Sequence, residues 1–280
     1  MPWVLTVLIL LGAWACAPSG GPPACPLAGQ VMRLATTSSV ENTGLLADLL
    51  PAFRARTGIE VQVLAVGTGQ ALKLAQNGDV DAVLVHDPES EQAFLEAGHG
   101  SHRQPLMQND FVLLGPAGDP AGVSGARDAA EALARVAERE ARFVSRGDGS
   151  GTHLAERRLW ALTGLRPSGP WYLEVGQGQV AALRLADEKD AYCLTDRGTY
   201  LSLRAGLRLG VVFEGDPALV NVYSYLVVPP GRHPHARFLE AMALLGYLAS
   251  TEGQARIGAF QAKGEVLFKP LLRPRPTRVP

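Results

Sequence analysis

Apolar positions recur along this chain in two alternating rhythms. Ile59-Glu60-Val61-Gln62-Val63-Leu64-Ala65-Val66 has a two-residue beat and reads as a half-buried strand. Ala129, Leu133, Val136 and Ala137 recur at helical spacing within 126–140, where Arg135, Glu138, Arg139 and Glu140 take the solvent side. From Val31 onward the two kinds of segment alternate. Val31-Met32-Arg33-Leu34 opens as a strand, and Leu45, Leu46, Leu49 and Phe53 then line one side of a helix that starts near Gly44, bends at Pro51 and ends at Gly58. A strand over 81–86, a helix over 91–97 and an apolar strand over 109–116 follow. Farther on come strands at 171–175, 191–195, 209–213 and 220–228, a helix over 180–187, and one long helical region over 236–260 with Phe238, Met242, Leu245, Leu248 and Ile257 inward. This alternation predicts an α/β fold with mostly parallel strands, with the crossing into a second lobe near 126–140.

The polar interruptions are as patterned as the elements. Ser145-Arg146-Gly147-Asp148-Gly149-Ser150-Gly151-Thr152-His153 stands between the strand-like Arg142-Phe143-Val144 and a helix that opens at Leu154. Small hydroxyl residues, glycines and one arginine at a helix start aim backbone N–H groups and a guanidinium at one point, which makes an anion socket. Ala35-Thr36-Thr37-Ser38-Ser39 repeats that grammar after the first strand. Two such sockets predict one small oxyanion held between two lobes. Gly67-Thr68-Gly69-Gln70 is either a third donor loop or a plain tight turn. It is no dinucleotide fingerprint, because Leu72 takes the third glycine's place and Asp79 and Asp81 come too early for a ribose-binding acid. His86 and Asp87 close a strand with no nucleophile to pair with, and are read as structural.

Composition narrows the field. At 280 residues, 47% apolar and 19% charged, the chain has material for two lobes. Its formal net charge of −1 argues against nucleic acid, which calls for a clustered basic surplus. Residues 1–15 read as an export signal: the apolar run over 3–15 is too short to span a bilayer comfortably, and Ala13-Trp14-Ala15-Cys16 resembles a lipobox with Cys16 as the lipidated residue. Residues 16–30, rich in Pro and Gly, read as a flexible tether. The three cysteines form no disulfide framework, and Cys193 reads as a buried thiol.

Taken together, the motifs resemble the tungstate-binding proteins of ABC transporters, within the type II periplasmic-binding-protein superfamily. The residues that carry the resemblance are Thr36-Thr37-Ser38-Ser39, Val66-Gly67-Thr68-Gly69-Gln70-Ala71, Asn109-Asp110-Phe111, Ser145-Arg146-Gly147-Asp148 with Ser150-Gly151-Thr152-His153, Gly176-Gln177-Gly178, and Thr195-Asp196-Arg197-Gly198-Thr199-Tyr200. Two positions depart from that pattern: Ser38 stands for a threonine, and Gln179 for a methionine. The resemblance implies two α/β lobes joined by crossover strands, lobe one from 31–115 plus 210–280 and lobe two from 116–209. It also implies an extracytoplasmic protein that needs no cofactor, is no enzyme, closes on its ion and presents it to a membrane permease, touching the membrane through its lipid anchor alone. Carried over by position, the ligand set is Thr37, Ser38 and Ser39 in lobe one and Ser145, Arg146, Ser150, Gly151 and Thr152 in lobe two, followed by Thr68 and Gln177.

These residue types suit tungstate or molybdate. Both are fully deprotonated at neutral pH, so every contact can be a donor, and hydroxyls, glycine backbone and helix starts supply donors. Arg146 adds a fixed, forked charge. Phosphate keeps a proton near pH 7 and favours a carboxylate acceptor, a part open to Asp148, although that residue more naturally orients Arg146 or caps the next helix. A serine hydrolase built on Ser150, His153 and Asp196 is the rival class. Its elbow requires glycines two places before and after the serine, and here those places hold Asp148 and Thr152.

Overall fold

The computed structural model describes residues 27–272. The expected signal segment over 1–15, Cys16 and Cys25 lie outside the described residues. Of the expected tether only 27–30 is described. There Leu27 packs on the core and the Gly29 N–H donates to the Gly58 carbonyl at 2.9 Å.

The first half of the chain forms β1 (Val31–Thr37), α1 (Ser38–Thr43), α2 (Leu45–Thr57), β2 (Glu60–Val66), α3 (Thr68–Asn77), β3 (Ala82–Val85), α4 (Pro88–Glu96) and β4 (Ser101–Gly115). Then come α5 (Ala129–Glu138), β5 (Phe143–Ser145), α6 (Gly151–Thr163), β6 (Tyr172–Glu174), α7 (Gln179–Lys189), β7 (Tyr192–Asp196) and α8 (Arg197–Leu203). The chain returns through β8 (Gly210–Phe213) and β9 (Val220–Val227) into α9 (Phe238–Ala249) and α10 (Thr251–Ala259).

The strands run in the order β2-β1-β3-β9-β4-β7-β5-β6. β2, β1 and β3 are parallel, as are β7, β5 and β6, so each half of the sheet carries the parallel core that the alternating pattern predicts. β4 joins the halves. Its first two thirds pair antiparallel with β9, from Ser101↔Val227 to Asp110↔Val220, while Phe111 to Leu114 pair with β7 and Leu113 to Gly115 with β8. The passage between lobes is thus made by a strand and not by the helical stretch near 126–140. Arg197 braces this junction: its Nε and Nη2 donate to the two Asp110 oxygens at 2.7 and 2.6 Å, and Nη2 also meets Glu214 at 2.5 Å.

Alternation along β1 sends Met32 and Leu34 to the face covered by Leu45, Leu49 and Phe53, and Ala35, beside Val83 of β3, to the face covered by Ala71 and Phe94. With helices on both faces, β3 is buried throughout, the expectation for a parallel strand. In the second lobe Leu133, Val136, Phe143, Leu159, Trp160 and Tyr192 make a separate core, with the Phe143 and Trp160 rings edge to face at 5.4 Å.

Several element boundaries differ from the sequence reading, α6 among them, which begins at Gly151 and not at Leu154. The first helix begins at Ser38, and Gly44 at φ 82° passes the chain from α1 to α2, a turn that glycine makes without strain. The expected helix over 236–260 is two, because the Ser250 hydroxyl accepts from the Gly253 N–H at 3.1 Å and starts α10 afresh. β4 reaches back to Ser101, where polar residues such as Gln104 and Gln108 hide the two-residue beat.

Candidate anion-binding cleft

The carboxyl ends of β1, β2, β3 and β5 all open onto one cavity, the place where α/β sheets hold small ligands. It measures about 490 Å³ and is lined from lobe one by Thr37, Ser38, Ser39, 66–70 and His86, and from lobe two by Arg146, 148–151 and Gly178. The two sockets, more than a hundred residues apart in the chain, therefore share one hollow.

Lobe one supplies neutral groups. Thr37 is extended (φ −86°, ψ 148°) and caps α1, its hydroxyl accepting from the Val40 N–H while it also pairs with Ser39 Oγ at 2.9 Å. Thr68 starts α3, and its buried hydroxyl has no partner among the described residues. His86, just past β3, is buried and closes this wall. Asn221 donates from its amide nitrogen to Asn109 Oδ1 and to the Tyr223 hydroxyl, both at 2.8 Å, so its oxygen faces His86 Nδ1 at 2.9 Å. That arrangement puts the ring hydrogen on Nδ1 and leaves Nε2 to accept from Ser39 Oγ at 3.4 Å. Burial lowers the His86 pKa, against the pull of Asp196, Asn221 and Asp87, and keeps the imidazole neutral.

Lobe two supplies charge. Arg146 follows β5 and sits on the wall with Nη2 donating to Asp148 Oδ2 at 2.5 Å and Nη1 to Gln179 Oε1 at 3.4 Å. Its Nε is buried without a partner among the described residues. Burial works to raise the Asp148 pKa, but hydrogen bonds from Ser150 and the Arg146 charge outweigh it and hold the carboxyl below its ordinary value. Asp148 Oδ1 accepts from the Ser150 N–H at 3.0 Å, so both carboxylate oxygens are engaged. Gly147 (φ 62°) and Gly149 (φ 69°) take left-handed backbone around it. Ser150 caps α6 and accepts from the His153 N–H.

Beside the cavity the lobes touch at Gly151 and at Arg158. A Cβ on Gly151 would come within 2.5 Å of His86 Cε1, so glycine is what lets the second loop rest on the imidazole. Arg158, on α6, forms an ion pair with Asp87, the buried cap of α4.

Of the expected ligand residues, Thr37, Ser38, Ser39, Thr68, Arg146, Ser150 and Gly151 line this cavity. Ser145 and Thr152 are buried and outside its lining, and Gln177 is exposed and also outside it. Behind the second wall lies Glu156, one turn after Thr152, with the Tyr172 hydroxyl donating to its Oε1 at 2.7 Å. Burial pushes the Glu156 pKa up to about 7 against that hydrogen bond.

Sequence reasoning placed His86 in the fold and not at the site. Its one available signal was position, at the carboxyl end of a parallel strand beside Thr37 and Gly67. The hydrolase triad is not assembled: Ser150 Oγ accepts from backbone, His153 Nδ1 accepts from the Gly149 N–H at 2.9 Å, and Asp196 caps α8 through Thr199 N–H and Oγ1 at 2.9 and 2.7 Å.

Comparison with known proteins agrees with this fold. A family model described as PBP superfamily domain matches residues 26–252. The tungstate-binding protein TupA of Peptoclostridium acidaminophilum is 42% identical over 241 residues, 85% of this chain and 84% of that protein. The solved structure of the tungstate-binding protein TupA from Desulfovibrio alaskensis G20 superposes with a TM-score of 0.79 at 45% identity, covering 87% of this chain and all of that one. The structure of the tungstate ABC transporter from Geobacter sulfurreducens gives 0.77 at 44%, over 83% of this chain and all of that one. With the fold and these relatives in agreement, the chain belongs to the PBP superfamily and, within it, to the family of the TupA proteins.

Proposed function

We propose that this protein captures tungstate outside the cytoplasmic membrane and delivers it to the permease of an ABC importer, without catalysing a reaction. The observation that carries this reading is the engagement of Asp148. With one oxygen accepting from Arg146 and the other from the Ser150 N–H, Asp148 is held to its own loop, and the donors that line the cleft are hydroxyls, backbone N–H groups and a guanidinium. A fully deprotonated tetrahedral dianion needs only donors, whereas phosphate near pH 7 brings a proton that wants an acceptor. The relatives that bear the name tungstate-binding support the same choice of ion. In this proposal the ligand set is Thr37, Ser38, Ser39, Thr68, Arg146, Ser150 and Gly151, with His86 positioning Ser39 through Nε2, and lobes 31–115 plus 210–280 and 116–209 close around the ion.

Calorimetric titration with tungstate, molybdate, sulfate and phosphate tests it. Tungstate binds tightest, molybdate follows, and phosphate gives no heat of binding; phosphate binding tighter than tungstate would overturn the assignment. Anchoring through a lipid on Cys16 completes the proposal, supported by the apolar run before Ala13-Trp14-Ala15-Cys16. Labelling cells with a radioactive fatty acid should mark the wild-type protein and not Cys16→Ser.

A further inference from the structure

Gln179 is the first residue of α7, and its side chain is buried behind Arg146. Its Nε2 donates to the carbonyl of Leu194 on β7 at 3.0 Å, and its Oε1 accepts from Arg146 Nη1 at 3.4 Å. Chemistry dictates this orientation of the amide. A backbone carbonyl can only accept and a guanidinium can only donate, so the flipped amide would lose both bonds. The side chain therefore ties the floor of the second lobe to the cationic wall of the cleft.

The guanidinium is consequently gripped at both terminal nitrogens, by Gln179 on Nη1 and by Asp148 on Nη2. Nε–H and one hydrogen on each terminal nitrogen stay without a partner among the described residues. Asp148 offsets charge while it orients, whereas a neutral amide orients without offsetting any. A second carboxylate in place of Gln179 would leave the pair of acceptors outweighing the one cation, facing an incoming dianion.

We propose that Gln179 is a positioning residue for the bound oxyanion: it fixes the plane of the Arg146 guanidinium and, being neutral, keeps the Arg146–Asp148 pair from turning net negative. This rests on the reading of the cleft as an oxo-dianion site. A double-mutant cycle on the full chain tests it, with tungstate titrated calorimetrically into wild type, Gln179→Met, Arg146→Ala and the double variant. Methionine keeps the length and removes both bonds. In the wild-type background Gln179→Met weakens tungstate about five- to tenfold, the worth of one oriented hydrogen bond. In the Arg146→Ala background the same change alters affinity less than twofold. Gln179→Glu keeps an acceptor for Nη1 but sets a second acceptor against the Leu194 carbonyl, so its melting temperature falls, and it weakens the dianion more at low salt than at high salt, a signature that packing alone would not produce. Should Gln179→Met fail to fold, Gln179→Asn replaces it in the cycle, because the shorter arm cannot span from Leu194 to Arg146. Equal losses in both backgrounds, or no loss from Gln179→Met, overturn the role of Gln179 while tungstate binding by wild type stands. No binding of any oxyanion by wild type overturns the functional reading and this inference with it.

Discussion

The two walls of the cleft start alike, each a strand that ends in small hydroxylated residues before a helix, and they then treat charge in opposite ways. In lobe one the ligand-facing groups are hydroxyls and a neutral imidazole, and His86 is held by a buried relay through Asn221 to Asn109 and Tyr223. In lobe two the same kind of loop carries Arg146 with Asp148 in its grip, and a second carboxyl, Glu156, lies buried behind it. Shape and neutral hydrogen bonding belong to the first wall, charge and titration to the second. Substitutions that change charge or pH response should therefore act through lobe two.

The largest expected effect tests that assignment through Glu156. Its folded pKa of about 7 lies above its ordinary value of 4.5, so the folded state holds a proton that the unfolded chain releases. The resulting stability is fully present below pH 4.5 and is lost as pH rises through about 7. A shift of that size corresponds to about 3 kcal/mol. Denaturant unfolding at pH 5 and pH 8.5 should show wild type losing about 2–3 kcal/mol relative to Glu156→Gln, since part of the effect is already gone at pH 5; parallel behaviour of the two proteins would remove Glu156 as the titrating group.

Next comes Arg146→Ala, which takes from the cavity the one guanidinium among the described residues that line it. Tungstate affinity should fall at least tenfold, about 1.4 kcal/mol, and by more than for Ser38→Ala on the neutral side. Equal losses in calorimetry would erase the distinction between the walls. The smallest effect concerns the bridge between them. Arg158→Ala leaves Asp87 buried without its cation, but Arg158 is partly exposed, so the cost is about 1 kcal/mol, or roughly 2–4 °C in melting temperature. A scanning calorimeter that records no shift would show that the Asp87–Arg158 pair does not hold the lobes together.

Much of this was legible in the chain itself. The alternation of rhythms announced the α/β layers, and 145–153 announced its own loop, because glycines at 147 and 149 and a capping Ser150 are requirements of local backbone geometry. Other features were hidden because their cause is remote in sequence. The first part of β4 reads as polar, since its pairing with β9 depends on residues more than a hundred positions away. His86 looked like a strand end until the fold set Gly151 against its ring. Ser145 and Thr152, which share the motif with Arg146, proved to lie off the cavity lining, because neighbours in a loop do not all point one way.

By itself, then, the sequence determined the elements, the donor loops and the class of ligand, all of which follow from local dihedral preference and the chemistry of side chains. Only the tertiary structure decided which donors meet, that both oxygens of Asp148 are already engaged, that Gln179 reaches Arg146 from behind, and that Arg158 and Asp87 tie the lobes. Those outcomes depend on where β4 crosses and how α6 and α7 pack, and packing across long sequence separations is set by the whole fold, not by any one stretch of it.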